Sequence, residues 1–93
     1  MDTDDIPALE TIDAVIGARL RHERDSRRLS RAEVAAATGL SAKTIQRMEE
    51  GERSADVQQL DAITAVYGMS LHTFMTLALK GTRFARRAKS QSG

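Results

Sequence analysis

SRAEVAAATGLSAKTIQRMEEG, residues Ser30 to Gly51, reads as two short helices joined by a tight turn. Ser30 opens the first helix, and Glu33 follows three residues later. That is a capping box: the serine oxygen accepts an orphan backbone N–H, and the glutamate reaches back to the N–H of the cap. Val34, Ala35, Ala36 and Ala37 continue the helix, and Gly39 breaks it, because glycine takes the left-handed conformation a helix C-terminus often needs. Leu40 supplies an apolar plug, and Ser41 is a ready N-cap for the second helix. The connection is therefore only a few residues long.

The second helix is expected over about Ala42 to Glu50. At ~100° per residue, Ile45 and Met48 share one face and must point into a core. Ala42, Lys43, Gln46 and Arg47 fall on the opposite side. Arginine and lysine match guanine O6 and N7, glutamine matches adenine N6 and N7, and alanine can touch a thymine methyl. Four such residues on one short helix make a base-reading surface, and a tight two-helix unit is how a small protein sets one helix in the major groove of DNA. The plainer reading is a solvated helix face.

Working outward, a first helix is expected over about Ile12 to Ser26, with Ile12, Ile16 and Leu20 at i, i+4, i+8 and Val15 beside them. Arg19, Arg21, Arg24, Arg27 and Arg28 make this helix and its end basic. After Gly51 a polar connection leads to Asp56, an N-cap with Gln59 in the capping-box position. Val57, Leu60, Ile63 and Val66 then recur every three residues along a fourth helix, which Tyr67 and Gly68 close. Ser70 caps a fifth helix over about Leu71 to Lys80. No strand pattern, repeat or low-complexity block is present. The expected fold is all-α: a compact five-helix domain over residues 12–80, with an acidic leader at 1–11 and a basic tail at 81–93.

Length and composition fit that picture. Ninety-three residues suit one domain. Three aromatic residues leave the core to aliphatics and alanine. The absence of cysteine excludes disulfides and thiolate zinc sites. No apolar run approaches the length that spans a bilayer, and the acidic start is unlike a signal peptide, so a soluble cytoplasmic protein is expected. The net charge of +1 says little, but its distribution says more. The leader carries Asp2, Asp4, Asp5 and Glu10, and the tail carries Arg83, Arg86, Arg87 and Lys89. A basic tail can follow phosphates without reading sequence; it can equally be a solubilising end.

The fifth helix is unusually apolar. Leu71, Phe74, Met75 and Ala78 form one stripe, and Leu77 and Leu79 widen it to ~200°, well beyond the ~100° that core packing needs. Excess apolar surface often marks a partner site. The expectation is a homodimer interface made by Leu71, Phe74, Met75, Leu77 and Ala78, in preference to cover by the tail.

From Ile16 to Leu77 the chain resembles the lambda-repressor-like, Cro/C1-type (XRE) helix-turn-helix domain. The resemblance is carried by IGARLRHER, LSRAEVAAATGLSAKTIQRMEEGER and VQQLDAITAVYGMSLHTF, in that order and spacing, over about two thirds of the chain. It implies that Ala42–Glu50 is the recognition helix. Ala42, Lys43, Gln46 and Arg47 then face base edges, while Arg31, Ser41, Thr44 and Arg53 meet phosphates or sit beside them. It also implies a structural ion pair between Arg24 and Glu49. Two departures stand out: Arg31 occupies a position where many members have glutamine, and Ala55 stands where a proline is frequent. Acidic Glu50 and Glu52 lie near the expected DNA surface, so affinity per monomer should be moderate and strongly salt-sensitive.

Enzymatic function is not expected. There is no cysteine, His22 and His72 lie on separate helices, and Gly39 and Gly51 punctuate helices instead of forming a phosphate loop. Met48, Met69 and Met75 sit at apolar positions, as core filler does. No metal or cofactor is implied. The leading expectation is a sequence-specific regulator, a repressor dimer on a palindromic operator of double-stranded DNA, located on the nucleoid through that operator. The rival is an antitoxin or adaptor that uses the same fold to bind a toxin or another regulator, since fold alone does not separate these uses.

Overall fold

Five helices among the described residues begin at a side-chain oxygen. In the computed structural model, which describes residues 11–85, the helices are α1 (Ile12–Ser26), α2 (Arg31–Thr38), α3 (Ala42–Glu49), α4 (Val57–Val66) and α5 (Leu71–Leu79). Residues 83–85 open a further helical turn, and there is no strand among the described residues. The expected leader, apart from Thr11, and the tail beyond residue 85 lie outside the described residues.

Thr11, Ser30, Ser41, Asp56 and Ser70 each accept the backbone N–H three residues on, from Ala14, Glu33, Thr44, Gln59 and Thr73. Each such cap contributes ~1 kcal/mol. Full capping boxes form at Ser30 with Glu33 and at Asp56 with Gln59. Gly39 ends α2 in the left-handed region, with φ 80° and its N–H on the Ala35 carbonyl. Helices this short are marginal alone and take most of their stability from packing.

That packing joins α1 to α3 and α5, α2 to α3 and α4, and α4 to α5. The core is built from Leu20, Val34, Ile45, Met48, Leu60, Ile63 and Phe74, with Met69 and Met75 packed on its edge. Two apolar residues of the expected stripes do not reach it. Val57 is 68% exposed and Ile12 is 42% exposed, because each lies in the first turn of its helix, beyond the reach of neighbouring helices.

The fifth helix requires a correction. Phe74 is fully buried and Ala78 is buried within the monomer, because α5 packs against both α1 and α4 and places the centre of its stripe there. In the monomer these two residues therefore have little or no surface to offer a second copy. Leu71 and Met75 are half-buried against the same core, and Leu77 and Leu79 are half-buried too. The wide arc seen on a helical wheel leaves no fully exposed apolar side chain on α5. No single helix among the described residues is long and apolar enough to cross a membrane.

Tyr67, at the end of α4, is 3% exposed, and its hydroxyl has no hydrogen-bond partner among the described residues. Burial pushes its pKa up to about 12, and the Arg27 guanidinium lies over its ring, 5.6 Å from the centroid. A buried hydroxyl without a partner carries a desolvation penalty that a phenyl ring does not. Tyr67→Phe should therefore leave stability unchanged or raise it by up to about 1 kcal/mol. Urea unfolding of the two proteins checks this, and a clear loss would mean that the hydroxyl is bonded in solution.

Candidate nucleic-acid interface

The helix α3 is divided sharply between two faces. Ile45 and Met48 are 2% exposed and lock it into the core, and Glu49 is buried beside them. Ala42, Lys43, Gln46 and Arg47 are all exposed. Lys43 and Arg47 have no acidic partner among the described residues, so their charges are available to a ligand. Gln46 is partly engaged: its Nε2 donates to Glu50 Oε2, one turn on, at 3.3 Å. The second Nε2 hydrogen and the Oε1 acceptor remain for a base edge, which a bidentate contact with adenine needs.

The front of α3 is stitched locally. Ser41 Oγ accepts from the Thr44 N–H at 3.0 Å and donates to Thr44 Oγ1 at 2.9 Å. The Thr44 hydroxyl thus keeps its own hydrogen for a phosphate oxygen. Ser41 is exposed and Thr44 half-buried. Arg53, in the connection after α3, is exposed and has no acidic partner among the described residues. Glu50 and Glu52 are exposed as well and temper the positive field at this end.

The far end of α3 is held by an ion network. Arg24 Nε donates to Glu49 Oε2 at 2.7 Å, and Arg24 Nη2 donates to Glu49 Oε1 at 3.0 Å, a two-pronged pairing of fork and carboxylate. Hydrogen bonding to Glu49 outweighs burial and raises the Arg24 pKa above its ordinary value. Arg24 Nη1 also donates to the Leu29 carbonyl at 2.9 Å, so one guanidinium ties the α1–α2 loop to the end of α3. Arg31 adds a second cation: its Nε donates to Glu49 Oε1 at 3.0 Å.

That last contact changes the description of Arg31. The family resemblance implied a phosphate contact here; the guanidinium also leans on Glu49, with 30% of the side chain exposed. Its geometry depends on how α2 meets α3.

Gly17 was missed as well. A Cβ built on it would lie 2.2 Å from the Met48 carbonyl oxygen and 2.7 Å from that of Glu49. The α1 backbone thus lies directly on the last turn of α3. Ala14, one turn earlier, meets Gly51: a Cβ on Gly51, itself at φ 75°, would lie 2.9 Å from Ala14 Cα. Small residues at 14, 17 and 51 are what let α1 and the end of α3 approach so closely. A lone glycine inside the helical pattern IDAVIGARL was the available clue.

Three comparisons bear on this arrangement. Residues 15–74, well over half of the chain, match the family model described as a helix-turn-helix domain. Among solved structures the chain is similar to that titled crystal structure of the clp gene regulator ClgR from Corynebacterium glutamicum. The TM-score is 0.74 at 18% identity, over 88% of this chain and 87% of that one, a likeness of fold. No curated protein matches.

Proposed function

Because the chain belongs to the helix-turn-helix domain family, we propose that it is a sequence-specific DNA-binding regulator of transcription and not an enzyme. The observation that carries this reading is the division of α3. Ile45, Met48 and Glu49 hold the helix rigidly, while Ala42, Lys43, Gln46 and Arg47 stand exposed on its other side. Placed in the major groove, those four meet base edges. Arg31, Ser41, Thr44 and Arg53 then lie where phosphates run. Arg31 can serve this role through its Nη groups while its Nε stays on Glu49.

The regulator acts as a repressor by occupying a palindromic operator, and two copies read half-sites about 34 Å apart. Leu71, Met75 and Leu77, all half-buried, are the α5 residues of the expected interface that remain available to a second copy. The protein then works in the compartment that holds the DNA.

Arg47→Ala should weaken binding to the preferred site by ~1–3 kcal/mol and relax selectivity at one operator position, while random DNA is bound almost as before. Selection of bound sites from random duplexes with each protein reads both effects. Equal loss on all sequences would make Arg47 a phosphate contact instead. Failure of the wild-type protein to retain any duplex except with a co-purifying protein would favour the antitoxin or adaptor reading.

A further inference from the structure

Arg28 is the one non-glycine residue with positive φ among the described residues, at φ 55°. In that conformation a Cβ crowds the carbonyl oxygen that follows, so glycine or asparagine closes a helix there with less strain. The side chain gives the fold nothing in return. It is exposed, and no hydrogen bond or ion pair to its guanidinium occurs among the described residues.

The neighbouring arginines are all occupied. Arg19 and Arg27 both bind the buried Glu23. Burial alone would raise the pKa of that carboxyl, but hydrogen bonds and charge from Arg27 and Arg19 hold it below the ordinary 4.5. Arg24 holds Glu49, and Arg21 lies 3.6 Å from Asp25. Arg28 alone in this basic run has no acidic partner among the described residues.

Its place in the fold is defined by Arg24. The same guanidinium that clamps Glu49 at the end of α3 donates to the carbonyl of Leu29, the residue after Arg28. The loop that carries Arg28 is thus bridged by one side chain to the helix expected to read DNA. Ser30, two residues on, caps α2.

We propose that Arg28 is a DNA phosphate contact at the α1–α2 loop, which extends the footprint of α3 along the backbone without adding sequence information. This rests on the DNA-binding reading above. A guanidinium suits the role because its fork pairs with two phosphate oxygens at once and never loses its charge near neutral pH. The left-handed backbone turns the residue off the helix end, where a charged side chain serves a ligand better than it serves the core.

The test uses the full chain, Arg28→Gly and Arg28→Asn, both of which accept positive φ. Binding is measured over a salt series to a duplex carrying the selected site and to a random duplex of equal length. The expected result is unchanged or higher melting temperature, with affinity about five- to tenfold lower on both duplexes at 0.1 M salt. The slope of log K against log salt should shrink by about 0.9, the loss of one phosphate contact. Wild-type affinity and slope in both variants would overturn the proposal. So would a fall in melting temperature in both, because the side chain would then serve the fold. If the wild-type protein binds neither duplex, the DNA-binding reading itself fails, an outcome distinct from binding that ignores Arg28.

Discussion

Gly17→Ala should lower the melting temperature by at least about 10 °C, although alanine is the better helix former by ~1 kcal/mol. The reason is steric. The added carbon would sit 2.2 Å from the carbonyl oxygen of Met48 and 2.7 Å from that of Glu49. Both obstructing atoms are backbone, so no rotamer change relieves the clash, and α1 must move away from α3. Inserting a carbon into a packed interior costs ~1–3 kcal/mol when side chains can yield, and more when they cannot. A domain of this size has only ~5–15 kcal/mol in reserve. Gly39→Ala makes the instructive contrast. No atom lies within 4 Å of a Cβ there, but φ is +80°. Its cost is the left-handed penalty alone, ~1–2 kcal/mol. Calorimetry on the two variants ranks them, and a Gly17→Ala protein at least as stable as the wild type would show that α1 and α3 do not touch as described.

Glu49→Ala should destabilise the domain by ~3–5 kcal/mol, the usual consequence of removing one partner from a buried pair. The carboxylate is 1% exposed and receives three N–H groups, two from Arg24 and one from Arg31. Without it the Arg24 guanidinium, itself only 10% exposed, loses its two-pronged partner and keeps only the exposed Asp25 carboxylate, 3.3 Å from its Nη1. The Arg24→Ala change leaves the buried acid paired with Arg31 and should cost less. The double variant Arg24→Met, Glu49→Leu should recover much of the stability, because replacing both charges with apolar groups of similar volume is often neutral. Guanidinium unfolding of the wild type, Arg24→Met, Glu49→Leu and the double variant closes a double-mutant cycle. Additive losses would mean that the pair contributes no coupling. Site selectivity should suffer even where stability returns, because this network is what joins the α1–α2 loop and α2 to the end of α3.

These two sites differ in how far they were legible in the sequence. The Arg24–Glu49 pair followed from a family resemblance, and the wheel position of Glu49 beside Ile45 and Met48 agreed with it. Gly17 gave only the faint signal of a glycine inside a helix, because the atoms it must avoid lie 31 and 32 positions along the chain. The family resemblance implied a phosphate contact for Arg31, and its bond to Glu49 on another helix was not foreseen. Phe74 and Ala78 show the same limit from the opposite side. A helical wheel reports how much of a helix is apolar, but not how many neighbours it has. Because α5 has two, α1 and α4, the centre of its stripe went to the interior of the monomer.

Features that depend only on near neighbours in the chain were legible from the residues. Ser30, Ser41, Asp56 and Ser70 start four helices, Gly39 stops one, and the order of residues in α3 separates Ile45 and Met48 from Lys43, Gln46 and Arg47. Caps and faces act over three or four residues, so the chain encodes them wherever it goes. Long-range packing is what lays α1 on α3 at Gly17, gives Glu49 two arginines, and leaves Arg28 without an acid among the described residues. Those outcomes depend on which distant segments compete for one small volume and one buried carboxylate, and that competition is settled only when all five helices pack together.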